Sequence, residues 1–229
     1  MNNKVYVWDP LVRIFHWTLV VAFLTAYLTG DEENTLHIYS GYYILGLIAF
    51  RLLWGFIGTK YARFSSFNLS PRALFDYLTS LFSSGEGKQY TGHNPAGSWM
   101  VILMLLSLLA TGFSGLKTYA EEGYGPLAQN TSPTKAIETV PAIPQTGFIK
   151  VSRNDDEDHD YYAEHKEINN PGDAEGEEYW EEIHEFFANF TVLLVFLHIL
   201  GVILSSNKHG QNLVRTMITG YKHAQHPGK

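Results

Sequence analysis

Two histidines, His184 and His198, stand fourteen residues apart in the apolar run 182–206, EIHEFFANFTVLLVFLHILGVILSS. At 3.6 residues per turn and 1.5 Å per residue they lie about 40° apart around a helix axis and about 21 Å apart along it. One helix face therefore presents an imidazole near each end. An ionisable ring in an apolar, membrane-length helix is costly and points to function. His16 and His37 sit in the same way, near the starts of two other apolar runs. Imidazole is a natural axial ligand of haem iron. Two of them close both axial positions, which favours electron transfer over oxygen binding. The four histidines are thus candidate axial ligands of two haems.

The elements that would position them are four apolar stretches. Residues 14–29, 99–116 and 185–206 have no charge in their interiors, and 38–57 carries Arg51 alone. A hydrocarbon core needs about 20 apolar residues per helix. The expectation is an all-α protein: a four-helix transmembrane bundle, one integral membrane domain, with spans over about 11–29, 35–57, 96–116 and 182–206. The first run lacks the features of a cleaved leader and is read as a retained span. Asp9-Pro10 and Asn94-Pro95 are helix starts, each a capping side chain followed by proline at the first helical position. The connection 58–95 contains Ser70-Pro71 and a helical stripe of Leu74, Tyr77, Leu78, Leu81 and Phe82, fit to lie on the membrane surface or to pack on the bundle end. Residues 117–181 are read as a long external loop.

Charge sorts with these spans. Residues 117–182 hold sixteen acidic and five basic side chains, and 31–33 are all acidic. The other eleven Lys and Arg fall in the two tails, beside the connection 58–95 or within it. Four crossings put the basic segments on one side, so the positive-inside rule places both termini in the cytoplasm of a bacterial inner membrane. The basic residues follow topology, and nothing suggests nucleic-acid binding. No cysteine is present, which excludes iron–sulfur centres, thiolate metal sites and covalent haem attachment.

Depth decides the pairing. His16 and His198 fall towards the cytoplasmic side, His37 and His184 towards the external side, giving an inner and an outer layer. Gly41, Ala188 and Gly201 follow the histidines by about one turn and leave bare surface for a flat macrocycle. Ala110, Gly112 and Gly115 allow close approach on the third span. Arg13 and Arg51 are candidates to hold the inner haem's propionates, and Lys117 the outer's. Glu185 could orient the His184 ring. His93 is a candidate for quinone or proton handling, or a loop cap. Zinc would need further ligands in each layer. Two other functions compete: a membrane anchor or assembly subunit with structural histidines, and a metal or proton transporter. The spans lack acidic partners for transport, and the two halves do not repeat.

Several motifs, in order, carry a resemblance: R-I-F-H-W at 13–17, L-H-I-Y-S-G-Y at 36–42, G-H-N-P-A-G at 92–97, E-I-H-E at 182–185 and F-L-H-I at 196–199. With them the chain resembles the prokaryotic cytochrome b561 family, including the membrane cytochrome b subunits of nickel–iron hydrogenases. The resemblance covers the four spans, about two thirds of the chain. It implies two b-type haems, held by His16 with His198 and by His37 with His184. It also implies electron exchange between membrane quinone and a redox partner, as a component of a quinone-linked oxidoreductase rather than a stand-alone enzyme. The acidic external segment is suited to a basic partner, such as a soluble c-type cytochrome or a peripheral redox subunit.

Overall fold

A computed structural model describes residues 4–30, 35–83, 90–128 and 171–223. Helices α1 (Pro10–Leu28) and α2 (Thr35–Ile57) form a hairpin, α3 (Pro71–Phe82) lies in the following connection, and α4 (Pro95–Glu121) and α5 (Pro171–His209) complete the bundle. A short α6 (Leu213–Thr219) follows. Among the described residues, α1, α2, α4 and the stretch Glu178–His209 of α5 are long and apolar enough to cross a membrane. The protein is therefore a multi-pass membrane protein.

Side-chain burial reads the same way. The interior holds small polar residues, Ser40, Ser98, Ser107, Ser114 and Thr191, while Val21, Leu24, Leu53, Phe56, Phe196 and Ile203 face outward. Lipid offers apolar side chains as good a surroundings as the core does, so interfaces favour small residues and hydrogen bonds. Ser107 Oγ and Thr191 Oγ1 share a 2.7 Å bond between α4 and α5. Ile44, Ile48, Ala22 and Leu108 make the apolar centre where α1, α2 and α4 meet. Packing runs α1 on α2, α2 on α4 and α4 on α5, whereas α5 does not pack closely on α1 or α2. That leaves a crevice between α5 and the α1–α2 hairpin.

Three features refine the sequence reading. First, a short ribbon accompanies the all-α bundle: β1 (Lys4–Tyr6) pairs antiparallel with β2 (Tyr221–His223). This ribbon brings both ends of the described chain to one end of the bundle, called the inner end below. Gly220, at φ 85°, turns the chain from α6 into β2, and its carbonyl accepts from Val7 and Trp8. Second, the segment 117–181 is not all loop. Helix α4 continues to Glu121 and α5 already begins at Pro171. At 39 residues, α5 is about 58 Å long, well beyond an apolar thickness of about 30 Å. Residues 129–170 lie outside the described residues. Third, of the two placements open to α3 the structure has packing on the bundle end: Asn94 Nδ2 donates to Tyr77 Oη (2.8 Å), which donates to Ser205 Oγ (2.9 Å).

Asp9 fastens the inner end. It caps α1 through Val12 N (2.9 Å) and accepts from Trp54 Nε1 (3.2 Å) and Thr59 Oγ1 (2.5 Å) at the end of α2. Arg13 Nη1 donates to the Ile218 carbonyl (2.5 Å) and ties α6 to α1.

Candidate functional site

The histidines face one another across the crevice in two layers. His37 of α2 and His184 of α5 have ring centroids 5.9 Å apart. His16 of α1 and His198 of α5 are 6.4 Å apart. A metal–imidazole bond of about 2 Å, plus about 1.1 Å from nitrogen to ring centre, puts two rings on opposite sides of one ion roughly 6 Å apart. Both separations match that span. Among the described residues no group of three or more His, Asp or Glu gathers at either layer. Two imidazoles alone suit an ion whose other ligands come from a planar macrocycle.

In the outer layer the rings are fixed by backbone carbonyls. His184 Nδ1 donates to Thr111 O at 2.9 Å, and His37 Nδ1 donates to Ala26 O at 2.8 Å. A carbonyl can only accept, so each Nδ1 carries the proton and each Nε2 keeps its lone pair for a metal. Ala26 lies in the last turn of α1, and its carbonyl, which also accepts from Thr29 N at 3.3 Å, has a second lone pair for the ring. Thr111 is reachable because Gly115, one turn on, has no side chain: a Cβ there would stand 2.9 Å from His184 Cε1. Ser114 Oγ also approaches His184 Nδ1, at 3.3 Å.

Neighbouring glycines leave room. A Cβ built at Gly41 or Gly201 meets no atom within 4 Å, whereas one at Gly112 would stand 2.5 Å from Leu45 Cδ2. Gly41 and Gly201 thus border open space, and Gly112 serves the contact of α4 with α2.

The inner layer is differently furnished. His16 packs edge-on against Trp17, with 5.1 Å between centroids, and its Nδ1 is buried without a partner. Arg51 is 3% exposed, with its guanidinium 4.9 Å over the Phe64 ring and Nη1 unpartnered. Arg13 is engaged by Ile218, while its Nε has no partner. His93 packs between Trp8 and Phe67, each 4.6 Å away between centroids. Burial, then the charges of Arg51 and Lys222, push its pKa down to about 3, so the ring is neutral near pH 7.

One assignment changes. Glu185 does not orient His184; it is exposed and accepts from Asn189 Nδ2 at 3.4 Å. Lys117 is engaged by Glu121 (3.9 Å) and by the Trp180 ring (5.4 Å). The carbonyls of Ala26 and Thr111 and the bare Cα of Gly115 contact the rings of the outer layer and were not revealed by the histidine pattern alone.

Four membrane-length helices with imidazole pairs stacked in two layers define a class of membrane bundle. The chain matches the prokaryotic cytochrome b561 family over residues 7–220, and it belongs to that family. It is 28% identical over 147 residues to a probable Ni/Fe-hydrogenase B-type cytochrome subunit of Rhizobium leguminosarum bv. viciae, a match covering 52% of this chain and 62% of that protein. A protein of the same description from Bradyrhizobium diazoefficiens is 25% identical over 140 residues, covering 48% and 57%. The chain thus spans about three fifths of the length of these relatives. No solved structure matches it significantly.

Proposed function

We propose that the protein is a dihaem b-type cytochrome that carries electrons across a bacterial inner membrane between quinone and a redox partner. The observation that carries this reading is the two facing imidazole pairs, 5.9 and 6.4 Å apart, at separate depths of one crevice. Family membership and the two relatives, both named as probable hydrogenase cytochrome subunits, support it.

In this reading His37 and His184 ligate the outer haem, and His16 and His198 the inner. Bound haem supplies one-electron chemistry at iron; the chain supplies ligation, orientation and a dry sheath. The Ala26 and Thr111 carbonyls hold the outer imidazoles in the tautomer that ligates, and strengthen them as ligands. Gly41 and Gly201 leave the crevice wall flat. Arg51 and Arg13 serve the inner propionates. The layers lie about 21 Å apart along α5, so the two sites connect the two membrane faces. Both chain ends lie in the cytoplasm, the whole forms one integral membrane domain, and the partner, a c-type cytochrome or a peripheral redox subunit, docks on the acidic external side. The protein is then an electron-transfer component of a quinone-linked oxidoreductase.

The test is reduction of the purified protein by a short-chain quinol. Reduced b-type bands should appear in the visible spectrum. A coloured protein that stays oxidised under quinol excess contradicts quinone linkage, and a colourless folded protein contradicts the haem assignment.

A further inference from the structure

All the buried side-chain polar atoms without partners among the described residues lie towards the inner end: Arg13 Nε, His16 Nδ1, Arg51 Nη1, His93 Nδ1 and Trp99 Nε1. Buried polar groups in folded proteins are ordinarily hydrogen-bonded, so a cluster of exceptions needs an explanation. In the outer layer the histidine Nδ1 atoms are satisfied by the chain itself. The inner cluster is rich in donors, and among the described residues these atoms meet no acceptor.

Arg51 is the centre of this imbalance. It stands fourteen residues after His37, the same interval that separates His184 from His198. It therefore shares the His37 face of α2, within about 40°, and lies about 21 Å deeper, level with the inner pair. A buried guanidinium without an ion-pair partner is strongly disfavoured. Asp9 is the carboxylate whose charge reaches it, but both Asp9 oxygens already accept bonds, from Val12, Trp54 and Thr59. His93, at the entrance to α4, is joined to Arg51 by a run of two rings: the guanidinium lies over Phe64, Phe64 packs on Phe67 at 5.5 Å between centroids, and Phe67 packs on His93. It is held by Trp8 and Phe67 on either side. As a neutral ring it can donate one hydrogen bond without adding charge.

We propose that Arg51 and His93 together anchor a propionate carboxylate of the inner haem, Arg51 as its counter-ion and His93 as a second donor. This rests on the dihaem reading and extends it: His93 becomes a cofactor-positioning residue rather than a quinone ligand or loop cap. A carboxylate takes two donors at once, and charge-assisted bonds of this kind are the strong ones. The anchor would also join α2 to the start of α4 through the cofactor.

The experiment measures haem loss from the purified full-length protein to excess apomyoglobin. It uses protein loaded with iron protoporphyrin IX or with its dimethyl ester, in which both propionates are neutral. The inner haem is the component that His198→Ala removes. With native haem, Arg51→Gln and His93→Phe should each speed inner-haem loss about 10–100-fold, the scale seen when outer-shell partners of a ligated metal are removed. Arg51→Lys should restore most of the retention. With the ester, wild type and both variants should lose the inner haem at one rate. Helical circular dichroism of each variant verifies the fold. Faster loss of both porphyrins alike assigns the two residues to structure and overturns the proposal, as does unchanged loss of native haem. Wild-type protein that holds no haem at all overturns the underlying dihaem reading with it.

Discussion

Gly115 offers a sharp perturbation of one layer. A Cβ at this position would stand 2.9 Å from His184 Cε1 and 3.0 Å from Nδ1. Ordinary carbon contacts lie at about 3.5–4.0 Å, so in Gly115→Ala the ring must withdraw by roughly 0.6 Å or more. The 2.9 Å bond from Nδ1 to Thr111 O would then stretch to about 3.5 Å, beyond a useful hydrogen bond. Losing that bond costs about 1–3 kcal/mol, and losing an outer-shell partner of a ligating histidine lowers metal affinity about 10–100-fold. The two estimates agree. The assay is haem content and haem-loss rate of the purified variant, with the two components resolved by redox titration. The outer haem should weaken by that factor and the inner haem should be unchanged. Equal retention of both haems, or loss of the inner one instead, refutes the role given to the Thr111 carbonyl.

Other perturbations separate cofactor from fold. Gly41→Ala meets no atom of the chain within 4 Å and should stabilise the unloaded helix by about 0.5–1 kcal/mol, yet reduce outer-haem binding; thermal melts and haem titration read the two opposite signs. Gly112→Ala drives a methyl into Leu45 and should cost about 1–3 kcal/mol in detergent unfolding, without selecting between haems. Asp9→Ala removes the α1 cap and strands the Thr59 and Trp54 donors, at about 1–3 kcal/mol in the same unfolding assay. For Asp9 itself, burial opposes ionisation, but hydrogen bonds from Thr59, Val12, Trp54 and Leu11 outweigh it and lower its pKa below 3.8. Its contribution should therefore be complete above about pH 4 and vanish as pH falls through the lowered value; a melting series in which Asp9→Ala and wild type differ equally at every pH contradicts this.

Much of the arrangement was legible because a membrane imposes a ruler. Run length and charge sorting mark the spans, and the depth of each histidine follows from its distance to a span end. That distance alone indicates which rings can meet. The flanks were harder. Pro171, Gly172 and Gly176 read as loop, yet α5 runs through them. Propagation from a helix already formed adds residues without a new nucleation cost. The ribbon of Lys4–Tyr6 with Tyr221–His223 is too short for any periodicity. Backbone acceptors are invisible to side-chain patterns, so Ala26 and Thr111 could emerge only from coordinates. Glu185 shows the converse: a carboxylate adjacent in sequence to His184 points away from it, since neighbouring residues on a helix are about 100° apart.

The most direct measurement is haem stoichiometry, by pyridine haemochrome against protein mass, in wild type, His184→Ala, His198→Ala and the double variant. The account predicts two haems b per chain, one in each single variant with distinct remaining potentials, and none in the double. Two haems retained in either single variant, or fewer than two in wild type, would contradict it.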